Sequence, residues 1–268
     1  MASALATSLH RAGYRIDGIV TRADAVSARK ARLLAREVDS SVVPPAQIES
    51  EVVWFCVPDG EIVRAARLLA SALDWNGRVA LHSSGVLTSD ELDVVRRRGA
   101  HVASVHPLMT FVRGSRPSLA GVPFAIEGDI RATRVARTFV KRLRAQAFSI
   151  RKSEKAAYHA WGMFASPLLT ALLATTERVA GAAGIPPTAA RQRMLPILAQ
   201  TITNYATLGA PGTLSGPIAR GDADTVKKHL RALRRLPAAR EVYVALGRAS
   251  LRYLPVKNRA ALEKILKA

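Results

Sequence analysis

The chain has 268 residues, with 40 Lys or Arg against 20 Asp or Glu and a formal net charge of +20. That length buries a substantial core as one large domain or two smaller ones, and 49% hydrophobic residues exclude a disordered basic tail. One cysteine, Cys56, excludes a disulfide framework and a cysteine-based zinc cluster. The charge points first to a polyanion partner. Against that, 31 of the 40 basic residues are Arg and 9 are Lys in an Ala-rich chain, a bias that genomic base composition produces as readily as anion binding does. Aromatic residues make up only 5%, too few for base-stacking platforms, and no helix-turn-helix or RNA-module signature accompanies them. A nucleic-acid-binding role is therefore the weakest reading.

Residues 1–11 read as a helix, followed by Gly13 and an apolar, β-branched run over 15–21. In a doubly wound dinucleotide-binding domain these would be the first helix, its turn and the second strand. The first strand and Gly-rich turn are missing, and Ala2 stands where the third small residue of the fingerprint belongs. Two readings stay open: the natural start lies upstream, or the domain is a shortened one without its phosphate loop. Strand-like runs recur at 52–57, 78–82, 101–106, 123–127 and 147–150, with helical spacing over 27–37, 61–73, 89–98 and 130–143. Several runs are continuously apolar, as in a parallel sheet covered on both faces.

After residue 150 only helical patterns remain. One helix spans 153–183 with a bend at Pro167, and another spans 188–208. A Gly/Pro loop follows over 209–222, then a helix to 235 capped by Asp222 or Asp224, and helices over 239–251 and 258–267. The expectation is an α/β parallel-sheet domain over 1–150 and an all-α domain over 151–268. The longest uncharged stretch, 156–176, contains His159 and Pro167 and reads as a buried helix rather than a membrane span. Trp161, Met163 and Phe164 are expected in the core. With no targeting segment recognised, the expectation is a soluble, cytoplasmic protein without membrane contact.

Six motifs occur in order: VVWFCVPDGEI (52–62), LHSSG (81–85), SVHPLMTF (104–111), FAIEGD (124–129), KAAYHAWGMFAS (155–166) and SGPIARGDADTVKKHL (215–230). Together they resemble a family of Rossmann-like oxidoreductases with a helical C-terminal domain of unknown function, in the 6-phosphogluconate dehydrogenase C-terminal-like superfamily. The chain is also similar to pyrroline-5-carboxylate reductases and deazaflavin-dependent NADP reductases. The resemblance covers nearly the whole chain and departs from the family at the missing Gly-rich turn. It implies an NAD(P)-dependent reductase of a small carbonyl or imine compound, such as a 2-keto acid like ketopantoate or a pyrroline-carboxylate-like imine. It further implies a homodimer joined through the helical domain. A non-catalytic relative that has lost its cofactor loop is the alternative.

Candidate site residues follow. Thr21 and Arg22 close the second strand, where an Arg accommodates the 2′-phosphate of NADP and an acidic residue would select NAD. Val57, Pro58 and Asp59 lie at a strand's C-terminal end, where open α/β sheets hold ligands, unless Asp59 simply caps the next helix. Ser83 and Ser84 offer groups to a nicotinamide amide or a substrate carboxylate. His82 and His106, at the ends of adjacent strands, are candidate proton donors, with the alternative for His82 of a histidine satisfied by nearby backbone. Lys155 and His159 share a helix face; the resemblance implies that Lys155 is a proton donor, with His159 in place of the usual Asn partner. Ser215, Arg220 and Asp222 lie in a loop suited to an anionic substrate, Arg220 gripping a carboxylate, unless the loop is only a turn with Asp222 as cap. No metal-ligand spacing occurs among the six histidines.

Overall fold

The computed structural model describes residues 1–112 and 114–267 and forms two compact units, Met1–Phe164 and Ala165–Ala268. The first unit is built on a sheet of β1 (Val52–Phe55), β2 (Val79–His82), β3 (His101–Pro107), β4 (Pro123–Gly128) and β5 (Gln146–Ser149), in that spatial order. β1, β2 and β3 run parallel, β4 is antiparallel to β3, and β5 is parallel to β4. Its helices are α1 (Ala2–Arg11), α2 (Ala25–Glu37), α3 (Ile62–Ala70), α4 (Asp93–Arg96), α5 (Ile130–Arg142) and α6 (Lys155–Ala165).

Alternation along the strands explains why they read as apolar throughout. Val79, Leu81, Ala103 and Val105 pack on one face with Leu5 and Leu9 of α1 and Ala132, Ala136 and Val140 of α5. Ala80 and Val102 pack on the other face with Ile62, Ala66 and Leu69 of α3 and Val95 of α4. Both faces of the sheet are dry, as βαβ crossovers require.

Two expectations for this unit need correction. The run 15–21 forms no strand of the sheet. It makes one bridge, Ile19 with Val42, through hydrogen bonds with Ser41 and Val43, and an isolated two-stranded pair is marginal by itself. The expected helix over 89–98 is a 3₁₀ turn, Ser89–Leu92, followed by the single turn of α4.

The second unit contains α7 (Pro167–Ala182), α8 (Pro187–Thr213), α9 (Gly216–Arg220), α10 (Ala223–Ala232), α11 (Pro237–Tyr253) and α12 (Arg259–Lys267). Its core is Val226, Leu230, Leu251, Leu262 and Leu266, from α10, α11 and α12. The boundary between units falls after Phe164 rather than near Arg151, because Lys155 and Tyr158 of α6 are buried with the first unit. Pro167 does interrupt the long helix: α6 stops at Ala165 and Pro167 opens α7.

The expected 209–222 loop is largely helical, with α8 continuing past a kink at Gly209 and α9 following. Gly221 ends α9 at φ 71°, where a Cβ would lie 2.3 Å from the Lys257 carbonyl oxygen. Only glycine fits there. The buried-helix reading of 156–176 is also overturned. Among the described residues α7 buries none of its side chains and α8 only Ala190, while Trp161, Met163 and Phe164 are 58%, 37% and 70% exposed rather than core. Among the described residues no single helix is long and apolar enough to cross a membrane; only the bent pair Lys152–Ala182 and Pro187–Arg220 reaches that measure jointly.

Candidate functional site

The parallel register sets Phe55 beside His82 and His82 beside Ser104, so the segments leaving β1, β2 and β3 share the sheet's carboxyl edge. Ligands of open α/β sheets bind at such an edge. Ser83, Ser84 and Gly85 leave β2 there as a buried turn. Trp54 Nε1 donates to Ser83 Oγ at 2.8 Å, and Ser84 Oγ donates to Asp59 Oδ2 at 2.7 Å while accepting from the Leu87 N–H at 3.0 Å. Asp59 thus clamps the β2 turn instead of capping a helix. Both serine hydroxyls, expected to contact a ligand, brace this turn.

His82 is fully buried with both ring nitrogens engaged. The Ser84 N–H donates to Nδ1 at 3.1 Å, which leaves the proton on Nε2, facing the Thr88 carbonyl at 2.9 Å. Burial lowers its pKa to about 4. Of the two alternatives for His82, the structure supports the satisfied histidine, and the expectation of a proton donor is corrected.

Lys155, the first residue of α6, is 1% exposed. Its Nζ donates to the Ser84 carbonyl at 3.0 Å and to Ser104 Oγ at 2.6 Å, while Ser104 Oγ donates to the same carbonyl at 3.2 Å. Burial brings the Lys155 pKa down to about 8, with the carboxylates of Glu127 and Asp59 opposing the fall. It is therefore no solvated charge at a helix start.

One turn along α6, Tyr158 Oη lies 2.7 Å from His106 Nδ1, and the His159 ring stands edge-on to His106 with centroids 6.3 Å apart. Burial, then the positive charge of Lys155, lowers the His106 pKa to about 4. Burial pushes Tyr158 up to about 12. A Cβ on Gly85 would lie 2.6 Å from His159 Cδ2 and 2.9 Å from His106 Nε2, so both imidazoles close on the β2 turn only because position 85 has no side chain. Lys155, His159, His106 and the Ser83–Gly85 turn are thus brought together.

Other expected residues lie elsewhere. Arg22 precedes α2, its side chain 56% exposed and held, among the described residues, by long contacts, 3.4 Å to Ser27 Oγ and 3.8 Å to Asp24. Asp24 itself caps α2 through the Ser27 N–H at 2.8 Å. Thr21 is partly exposed beside Arg22, and Val57 and Pro58 lead out of β1. In the second unit Asp222 caps α10 through the Thr225 N–H at 3.0 Å, a bond that lowers its pKa. Its expected ligand role is replaced by the capping alternative. Ser215 precedes α9 and Arg220 ends it, both exposed.

Ser104 and Glu127 escaped the sequence reading. The signal available was a polar residue inside each of two otherwise apolar strands. Glu127 is 6% exposed, accepting from the Ser89 N–H at 2.7 Å and Ser89 Oγ at 2.9 Å.

Among solved structures, the fold is similar to a candidate NADP oxidoreductase from Bacteroides fragilis, at 20% identity and a TM-score of 0.75 over 92% of this chain and 93% of that one. Protein TM1727 from Thermotoga maritima is 23% identical with a TM-score of 0.72, over 97% and 96% of the two chains. A reductive aminase from Aspergillus terreus, in complex with NADPH and ethyl-5-oxohexanoate, is 15% identical with a TM-score of 0.68, over 99% and 95%. These likenesses concern the fold. No curated protein matches the sequence. Residues 1–107 match the family model of a Rossmann-like domain and residues 122–250 that of a domain of unknown function, DUF2520. The chain belongs with the Rossmann-like proteins that carry a DUF2520 domain toward the C-terminus.

Proposed function

We propose that this protein is an NADP-dependent oxidoreductase that reduces a small carbonyl or imine compound and works as a homodimer. The observation that carries the reading is the meeting of Lys155, His106 and His159 on the Ser83–Gly85 turn at the sheet's carboxyl edge. The fold likeness to a reductase solved with NADPH supports it.

The residues present fit a phosphate-bearing dinucleotide. Arg22 has a largely free guanidinium before α2, suited to a 2′-phosphate. Thr21, Val57 and Pro58 would line the cofactor, and NADPH would supply the hydride when bound.

The protein's own residues handle the proton. Lys155 spends two N–H bonds on Ser84 O and Ser104 Oγ, which fixes its direction, and a pKa of about 8 makes it an effective acid near neutrality. It delivers a proton to the carbonyl oxygen or imine nitrogen. His106, oriented by Tyr158 through Nδ1, presents Nε2 beside Gly85, and His159 flanks it; both polarise the reacting group. Within the second unit, Ser215 and Arg220 are the proposed groups for holding a carboxylate. Exposed Leu195, Ile197, Ile202, Tyr205 and Leu208 on α8 are the proposed dimer face, because monomers rarely leave so large an apolar surface open.

The test pairs a fluorescence titration of NADPH and NADH with NADPH oxidation in the presence of 2-keto acids, simple ketones and cyclic imines. Binding of NADPH in preference to NADH, with turnover on at least one class, supports the reading. Absence of NADPH binding overturns it.

A further inference from the structure

Lys155 and Glu127 are both removed from water, and a buried charge without a counter-charge is strongly destabilising. Their surroundings leave each the other's natural complement. Ser104 and Glu127 are direct partners across the antiparallel β3–β4 ladder, and directly opposed residues project from the same face of a sheet. Lys155 Nζ is seated on Ser104 Oγ on that face. Glu127 is held by the Ser89 N–H and hydroxyl, one on each carboxylate oxygen. Arg96 Nη2 reaches Ser89 Oγ at 3.4 Å. Arg96 is already matched by Asp90 at 3.1 Å, Asp129 at 3.3 Å and Asp93.

We propose that Glu127 is a positioning residue for Lys155: its buried carboxylate, fixed by Ser89 and set opposite Ser104, is the counter-charge that keeps the Lys155 ammonium charged inside the protein. The remaining groups around Lys155 do not replace it. Asp59, beyond the end of β1 and joined to the cluster through Ser84 Oγ, is exposed and screened by water. His82 on β2 is neutral with both nitrogens engaged, and His106 on β3, His159 and Tyr158 on α6 supply no negative charge near neutral pH. Ser104 then seats the Lys155 ammonium on the sheet face that also carries Glu127.

The pairing stands by itself; its consequence for catalysis rests on the reductase reading above. The experiment follows the Lys155 ammonium directly by nitrogen NMR of lysine-labelled protein, comparing wild type, Glu127→Gln and Glu127→Asp. Glu127→Gln lowers the Lys155 titration midpoint by about one pH unit or more, whereas Glu127→Asp, which keeps the charge, restores most of it. The alkaline limb of the pH–activity profile moves down by the same amount. An unchanged midpoint in folded Glu127→Gln protein overturns the proposal. If Glu127→Gln does not fold, adding Lys155→Met must restore folding, and failure of that rescue also overturns it. A shifted midpoint in a protein without NADPH turnover supports the pairing while the reductase reading fails.

Discussion

Lys155 Nζ and Ser104 Oγ meet at 2.6 Å, joining the first residue of α6 to the interior of β3. Under the proposed chemistry this contact aims the acid and Ser84 O completes its seat. Replacing Lys155 with Met is expected to lower kcat by about 100-fold or more, the usual contribution of a positioned general acid. The dissociation constant for NADPH should change little. Steady-state kinetics with a parallel binding titration separates the two, and equal losses in both would make Lys155 structural.

The pH profile carries a definite sign. A donor acts only while protonated, so kcat/KM is expected to fall as pH rises through about 8, the value to which burial brings Lys155. Stability moves the opposite way. Between about 8 and 10.5 the unfolded chain binds the lysine proton and the folded one does not, so this residue makes unfolding harder as pH rises. His82 and His106 act at the acid end. Both are lowered to about 4 from 6.5, so the unfolded state takes up protons first as pH falls through that window. Each then removes up to about 3 kcal/mol of stability by pH 4. Urea unfolding at pH 7 and 4.5 reads that loss, and His82→Gln should reduce it.

Gly85 is a steric requirement of the site. A methyl group there would lie 2.6 Å from His159 Cδ2 and 2.9 Å from His106 Nε2. Gly85→Ala is expected to cost roughly 1–3 kcal/mol of stability, typical of overpacking, and to lower turnover by displacing His159. Gly85→Ala/His159→Ala should recover much of the stability and none of the turnover. Unfolding curves and kinetics on the two variants test this.

What was legible in the sequence differs between the sheet and the site. Five of the six strand-like runs lie in the sheet, because apolar β-branched segments between helices have few other ways to bury both faces. The run 15–21 has the same composition but only Ser41–Val43 beside it, and a run's composition does not report its neighbours. His82 and His106 were legible as strand ends. Their different states were not, since those depend on the Thr88 carbonyl and the Tyr158 hydroxyl folding back onto them. Trp161 and Phe164 were misplaced because hydrophobicity marks a surface that wants a partner without saying whether the same chain supplies it. Glu127 passed unnoticed because its partner in the ladder, Ser104, is 23 residues earlier and is set by strand register.

Arg22 decides the cofactor under the proposed reading. Among the described residues its guanidinium makes only the long contacts to Ser27 and Asp24, so little must break for it to grip a phosphate. Arg22→Ala is expected to weaken NADPH binding about tenfold, the scale of one or two charge-assisted hydrogen bonds. NADH, without the 2′-phosphate, should bind Arg22→Ala and wild type alike. Fluorescence titration of both cofactors against both proteins measures the ratio, and an equal change for the two would remove Arg22 from the cofactor site.

The exposed apolar face of α8 yields the last expectation. Ile197 and Ile202 are 68% and 60% exposed, and covering them against a second copy would remove an unfavourable apolar surface from water. Ile197→Glu/Ile202→Glu places two like charges on that face, and desolvating them in a symmetric interface doubles the penalty, since each copy contributes the same patch. Sedimentation velocity is expected to show a dimer for the wild type and a monomer for the double variant. Neither side chain belongs to the buried core of the second unit, so the variant should remain folded by circular dichroism. A wild type that sediments as a monomer at all concentrations would remove the dimer from the proposed function.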